Sequence, residues 1–291
     1  MRRRPSARPT ARKPFAASPI RRTRTVRRAS SGLSPVRAGA LLAMLLCAAA
    51  VYGVASASAF GYATLRVDGV TFTAADEVEA AIDVTLGQNL VSLVTAPLEA
   101  RLRELPTVRD ADISVTLPDT LIVRIEEREA ILIWRVGARR YLVDIDGALF
   151  ARLGEEGPPD AAKLPVVEDR RAASAGLSVG RLLEAVDLDA ATRLASIQPA
   201  DVGSEAESLA VQLTDASGFM LRARPANWAA VFGFYTPSLR TTELIPGQVR
   251  LLRSLLIGRE PLLERIILAS ETDGTYTTRS PAPSPSATPV P

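Results

Sequence analysis

Two aspartates two positions apart, Asp144 and Asp146 in "LVDIDGALF" (142–150), are the clearest pair of groups that a reaction could use. Paired carboxylates can act as general acid and general base when their surroundings push the two pKa values apart. The next residue argues for something plainer. Asp146-Gly147 is a hairpin-turn signature, so both carboxylates read as hairpin ends. The other usual instruments of catalysis are missing. The chain has 32 Asp and Glu but no histidine, which removes the common neutral-pH base and the commonest metal ligand. Its single cysteine, Cys47, lies in an apolar run, so an internal disulfide and a zinc site of Cys and His are both excluded. No glycine-rich phosphate loop and no G-x-S-x-G elbow occurs. The expectation is no catalysis, no cofactor and no metal, and a role in recognition.

For recognition, the elements that present a surface matter more than any one group. Charge organises the chain. Residues 1–37 hold eleven Arg and one Lys with no acid, residues 38–65 hold no charge, and the remainder holds 23 basic and 32 acidic residues. A block of +12, an uncharged stretch and a remainder of −9 is what the positive-inside bias produces. The run "AGALLAMLLCAAAVYGVASASAFGY" (38–62) exceeds the ~20 apolar residues a helix needs to cross a bilayer. Ala55-Ser56-Ala57 and Ala57-Ser58-Ala59 raise a cleaved signal peptide as the rival. The long basic leader and the length of the run favour a retained anchor, with the N-terminus in the cytoplasm and residues 63–291 outside. The leader, with Phe15 as its one aromatic residue, reads as a disordered tail against anionic lipid rather than a nucleic-acid binder.

Residues 63–128 read as one small module. "YATLRVDGV" (62–70) is a strand ending at Asp68-Gly69. Thr73 and Asp76 approximate a capping box for a helix carrying Val78 and Ile82. Thr95 and Pro97 open a second helix, whose Leu98, Leu102 and Leu105 form one stripe, with Glu99 and Arg103 paired on the wet side. In "LPTVRDADISVTLPDTLIVRIEER" (105–128), Ala111, Ile113, Val115 and Leu117 alternate, Pro118-Asp119 turns, and Leu121, Val123 and Ile125 alternate again. The order is strand–helix–helix–strand–strand. Glu126, Glu127 and Arg128 read as a solvated strand end leading into a second domain.

Residues 129–279 read as mixed and β-rich. Strands are expected at 130–134, 139–150 and 164–169, and a helix over 180–196 with Leu182, Leu183, Val186 and Leu194 in the core. A hairpin is expected over 208–224 turning at Gly218, then a helix from Pro246 to Gly258, then a last strand region over 264–279. The Pro/Ser-rich end, 280–291, cannot continue a sheet and reads as disordered.

The ordered set "VDGV" (67–70), "GQNLVSL" (87–93), "LPTVRDADI" (105–113), "LPDTLIVRIEERE" (117–129), Trp134 and "LVDIDGALF" (142–150) resembles the FtsQ/DivIB cell-division family. The first module resembles that family's POTRA domain. The resemblance implies an α+β chain: a single N-terminal transmembrane helix, a POTRA domain (β-α-α-β-β) and a mixed β-rich second domain. It implies a bitopic scaffold at the division septum that catalyses nothing and binds no cofactor. It also implies that the final strand receives the membrane-proximal part of FtsL/FtsB (DivIC)-like single-pass division proteins, with the septal wall synthase as a further candidate partner. On this chain the candidate residues are Ile266, Leu268, Ser270, Thr272, Gly274 and Tyr276. Here the sequence departs from the family, since "ILASETD" replaces an Arg-Tyr or Asp-Arg element before the glycine. The plainer reading makes Ile266, Ile267 and Leu268 core. A POTRA component of a secretion or membrane-protein assembly system is the alternative, but residues 129–291 are too short and too helix-interrupted for a typical barrel. A membrane-anchored enzyme is disfavoured by the missing histidines and motifs.

Overall fold

The computed structural model describes residues 34–55, 58–154 and 158–279. Most of the expected basic tail (1–33) and the Pro/Ser-rich end (280–291) lie outside them. The chain divides into two units, the first ending at Val54 and the second beginning at Ala55. Helix α1 (Pro35–Ala55), 21 residues long, belongs to the first up to its last residue. At ~1.5 Å per residue this is about 32 Å, the thickness of a bilayer's hydrocarbon core. It is the one helix among the described residues long and apolar enough to cross a membrane. The apolar run outlasts it: Ser58–Phe60 form a short 3-10 turn, and Gly61 makes an isolated bridge to Asn89.

The second unit carries two sheets. The smaller is built from β1 (Thr64–Asp68), β2 (Val108–Thr116) and β3 (Thr120–Glu127), with helices α2 (Ala75–Ile82) and α3 (Ala96–Arg103) between β1 and β2. The spatial order is β1-β3-β2, β1 running parallel to β3 and β2 antiparallel to it. The alternation of the hairpin becomes burial: Ala111, Ile113, Leu121, Val123 and Ile125 turn inward, against Val78, Ile82, Leu98 and Leu102 from the two helices. The capping-box expectation at Thr73 and Asp76 fails. Ala74 is the N-cap without a side-chain bond, and the Thr73 hydroxyl instead meets that of Thr107 at 2.7 Å.

The strand end at 126–128 is also not merely solvated. The Glu127 carboxylate accepts the backbone N–H groups of Thr71 (2.8 Å), Phe72 (2.9 Å) and Thr73 (2.7 Å). That holds the loop after β1 so that the Phe72 ring meets Phe150 edge-on at 5.7 Å. Arg128 turns the other way and pairs with Asp144. Adjacent residues thus tie one sheet's loop and the other sheet's hairpin. Asp144 is buried and its Oδ1 accepts the N–H groups of Asp146 (3.0 Å) and Ala148 (2.8 Å). The candidate carboxylate pair is a turn, with one member spent on backbone and Arg128.

The larger sheet has nine strands: β4 (Leu132–Val136), β5 (Arg139–Val143), β6 (Leu149–Arg152), β7 (Val166–Asp169), β8 (Ser208–Thr214), β9 (Gly218–Arg224), β10 (Ala229–Gly233), β11 (Leu263–Leu268) and β12 (Gly274–Thr278). Their order is β12-β11-β10-β9-β8-β7-β4-β5-β6. Neighbours β7/β8 and β10/β11 are parallel, so each pair needs a crossover. Helix α4 (Ala185–Ala195) supplies the first and α5 (Ile245–Leu256) the second. Both crossovers step in the same direction along the sheet, so the common right hand puts both helices on one face. There they cover Trp134, Leu221, Ala230, Phe232, Ile266 and Leu268. The opposite face carries a smaller cluster of Ile133, Leu142, Phe150 and Ala161, joined by Phe72.

Two expectations change here. The helix expected from residue 180 begins at Ala185, because residues 180–183 run extended beside β6 and Leu182 bridges Ala148. The strand β10 was not anticipated. Two buried tryptophans are each tied by a carboxylate. Trp134 Nε1–H donates to Asp169 (3.2 Å) and Trp228 Nε1–H to Glu260 (2.7 Å). Burial works against both anions, but Arg171 and Ser174 at Asp169, and Ser204, the Glu205 N–H and Trp228 at Glu260, hold both carboxyls below the ordinary range.

Candidate partner-docking edge

The stretch 264–279 is a hairpin rather than a single strand. β11 lies between β10 and β12, and β12 pairs with β11 alone. Of the six candidate residues, Ile266 and Leu268 sit on β11 and are buried, at 0% and 1% exposure, against the helix-covered face. Their side chains are core, as the plainer reading held. Ser270 and Thr272 are in the turn. The Ser270 hydroxyl oxygen accepts the N–H of Asp273 (3.0 Å) and, at 3.3 Å, that of Thr272. Gly274 and Tyr276 are on β12, where Tyr276 is 47% exposed.

Backbone direction separates the strand residues further. The Ala269 N–H donates to the Asp273 carbonyl at 2.9 Å, so residue 269 faces β12. With register partners Ile267↔Thr275 and Arg265↔Thr277 in the same phase, Thr275 and Thr277 bond toward β11. Gly274 and Tyr276 then turn their N–H and C=O groups to the open side. Gly274 is close-packed: a Cβ there would lie 3.1 Å from the Ile267 carbonyl oxygen and 3.3 Å from Leu251 Cδ2.

A polar staple fixes the hairpin from behind. Arg240 donates to the carbonyls of Phe232 (2.7 Å), Leu268 (2.9 Å) and Ala269 (2.6 Å), which lie at the ends of β10 and β11. Gln248 of α5 donates to the same Phe232 and Leu268 carbonyls, at 3.2 and 2.9 Å, and accepts from the Tyr235 hydroxyl at 2.7 Å. Burial pushes the Tyr235 phenol well above its ordinary pKa, so it is a constant donor. Arg240 also lies over the Tyr235 ring at 5.9 Å. Nothing in the residue pattern around Arg240 signals this role, because its three acceptors come from two strands that only the fold brings together.

The other sheet edges are guarded. Along β6, Gly180 and Leu183 donate to the carbonyls of Leu149 and Gly147, and Leu149 donates to Arg181, all at 2.9 Å. Along β2, Arg109, Asp110 and Asp112 supply charge, and Arg103 donates to the Ala111 carbonyl at 2.8 Å. Along β1, Arg66 and Asp68 pair at 3.3 Å. Charge and cover are the usual protections of an edge strand. β12, "GTYTT", has neither among the described residues.

The family model described as POTRA domain, FtsQ-type, matches residues 60–128, the span of the three-stranded sheet and its helices. A cell division protein FtsQ of Streptomyces griseus is 32% identical over 181 residues, 58% of this chain and 82% of that protein. The chain belongs to the FtsQ/DivIB family. Another relative, the cell division protein FtsQ of Streptomyces coelicolor, is 29% identical over 168 residues, 57% of this chain and 63% of its own length. The same-named protein of Caulobacter vibrioides is 28% identical over 131 residues, covering 45% and 41% respectively. The match thus spans less than two thirds of these last two relatives. The FtsQ/DivIB membership and the fold agree: an α+β chain with an apolar N-terminal helix, a POTRA domain and a β-rich second region.

Proposed function

We propose that this FtsQ/DivIB-family chain is a bitopic division scaffold whose β12 edge accepts a strand from a partner. The observation that carries the proposal is the contrast between edges among the described residues, three guarded and one bare. Strand addition supplies affinity through backbone hydrogen bonds and selectivity through alternate side chains. On this edge the backbone groups of Gly274 and Tyr276 make the bonds, the absence of a Cβ at Gly274 lets β12 lie close against Leu251, and Tyr276 gives a contact. Ser270 and Thr272 border the strand's entrance, while Ile266 and Leu268 support it from the core.

The partners that fit are FtsL/FtsB (DivIC)-like single-pass division proteins, with the septal wall synthase as a further candidate. The organisation we propose is a cytoplasmic basic tail (1–37), a membrane anchor (38–62), a POTRA domain (63–128), a β-rich domain (129–279) and a Pro/Ser-rich end (280–291). The chain would sit in the cytoplasmic membrane at the septum, N-terminus inside and the folded modules outside. The scaffold catalyses nothing and holds no cofactor.

Proline scanning of β12 in the full chain tests the edge. Tyr276→Pro removes an outward N–H and is tolerated on an edge strand, whereas Thr275→Pro removes a bond to β11. Crosslinked pull-downs from native membranes should lose the single-pass partners with Tyr276→Pro while the unfolding midpoint stays near that of the parent. Thr275→Pro should lower the midpoint. If Tyr276→Pro retains the partners, the docking edge is elsewhere and the POTRA face takes its place.

A further inference from the structure

On the face of the large sheet opposite the helices, a cavity of about 540 Å³ is lined by Arg222, Arg224, Arg265 and Arg279. Register places them. Arg222 on β9 and Arg265 on β11 both pair with Ala229 on β10. At about 4.8 Å between strands, their backbones stand about 10 Å apart across a residue whose side chain is only a methyl. Arg224 follows Arg222 on the same face, and Asn227, with φ +60°, closes the cavity at the β9–β10 turn. Arg279 comes from beyond β12 and donates to the Ala226 carbonyl.

Four guanidiniums at one hollow repel one another, and the chain does little to relieve this. None of the four is in an ion pair among the described residues. Glu264 is the one carboxylate on the lining among the described residues. Arg265 donates to the Ser217 hydroxyl at 2.9 Å, a neutral partner. This concentration of positive charge stands on a half of the chain that is otherwise acidic, net −9 outside the leader and apolar run. Arginine, unlike lysine, offers a planar fork of donors matched to two oxygens of one oxyanion. Two such forks rising on either side of an alanine can close on neighbouring phosphates.

We propose that this cleft is an oxyanion site for a phosphate-bearing ligand, a diphosphate or a phosphodiester. Arg222 and Arg265 clamp it from the two sides of Ala229, and Arg224 and Arg279 neutralise the remaining charge.

The test is thermal unfolding and calorimetric titration of the full chain in phosphatidylcholine nanodiscs, with sodium pyrophosphate as the probe at constant ionic strength. Pyrophosphate should raise the unfolding midpoint, and both Arg222→Gln and Arg265→Gln should weaken its binding at least tenfold. The double variant Arg222→Gln/Arg224→Gln should unfold at a higher temperature than the parent without ligand, because repulsion has been removed, and should ignore pyrophosphate. That paired outcome separates a lost site from a damaged fold. A midpoint shift reproduced by sodium chloride at equal ionic strength, or binding unchanged in the variants, overturns the proposal. So does a cleft that binds a Glu-rich peptide and not pyrophosphate, which would make it a protein-docking surface. Replacing part of the lipid with phosphatidylglycerol distinguishes the sources of the phosphate. Loss of the pyrophosphate titration identifies a lipid headgroup as the competitor, and its persistence a soluble ligand.

Discussion

Replacing Glu127 with alanine removes the acceptor of three backbone N–H groups at 2.7–2.9 Å and, with it, the seat of Phe72 on Phe150. A hydrogen bond to a charged group contributes about 1.5–3 kcal/mol when buried. Glu127 is only part-buried and its loop can be rehydrated, so about 1 kcal/mol per bond is the better figure, about 3 kcal/mol in all. For a chain of this size 1 kcal/mol moves the midpoint by about 2–4 °C, so Glu127→Ala should lower it by roughly 6–12 °C. Glu127→Gln keeps one carbonyl oxygen but no charge, and should fall about halfway. The pH dependence follows from the carboxyl's position. Burial pushes its pKa up, but the hydrogen bonds from Thr73, Phe72 and Thr71 outweigh that and hold it below the ordinary value. A depressed folded pKa contributes stability that is present above the unfolded pKa and lost as pH falls through the folded one. The gap between parent and Glu127→Gln should therefore be full at neutral pH and shrink below about pH 4. Thermal unfolding of the full chain in neutral detergent reads the gap, and hydrogen exchange at residues 71–73 reads the loop. A Glu127→Ala protein within about 0.5 kcal/mol of the parent, or a cost independent of pH, would refute the reasoning.

Two further outcomes concern the same framework. Gly69→Ala should be severely destabilising by thermal unfolding, since the residue has φ +91° and a Cβ would lie 2.1 Å from the Ile125 carbonyl oxygen; the left-handed backbone alone costs about 1–2 kcal/mol. Asp169→Asn should cost about 2 kcal/mol at neutral pH, because it removes the charge that accepts from Arg171 at 2.9 Å and leaves that guanidinium with Asp187 alone, at 2.7 Å. Because the Asp169 carboxyl is held low, that difference too should narrow on acidification, as followed by unfolding at pH 7 and pH 3.

The parts that were legible are those in which neighbouring residues carry the pattern. Alternation at Ala111–Ile113 and Leu121–Ile125 wrote the POTRA hairpin, and the same logic wrote β8 and β9. What was not legible depended on distant partners. β10 is five residues, "AAVFG", two of them alanine, and it becomes a strand because β9 and β11 flank it. Glu127 looks like one more acid at a strand end until Gly69 bends the chain and presents the amides of 71–73 to it. Leu182 resembles a helical core residue yet is 68% exposed, because its segment pairs with β6 before α4 starts. The six edge candidates came from a resemblance rather than a pattern. Strand phase then divided them into core, turn and open edge.

The staple behind β12 bears on how such an edge could bind. A strand held by one neighbour over five residues would fray, and a partner would then have to order it on arrival. Arg240 and Gln248 both seize the Leu268 and Phe232 carbonyls, so the ends of β10 and β11 cannot separate independently. The turn is closed by Ser270 and packs Glu271 over Gly247 of α5, where a Cβ would lie 2.5 Å from Glu271 Cγ. Every constraint on the hairpin therefore comes from the β10 side or from the turn, and none comes from the outer side of β12 among the described residues. That is the arrangement strand addition requires. The ordering cost is met within the fold, the outward N–H and C=O groups have no partner among the described residues, and a partner's backbone would bond to them without first rebuilding the sheet.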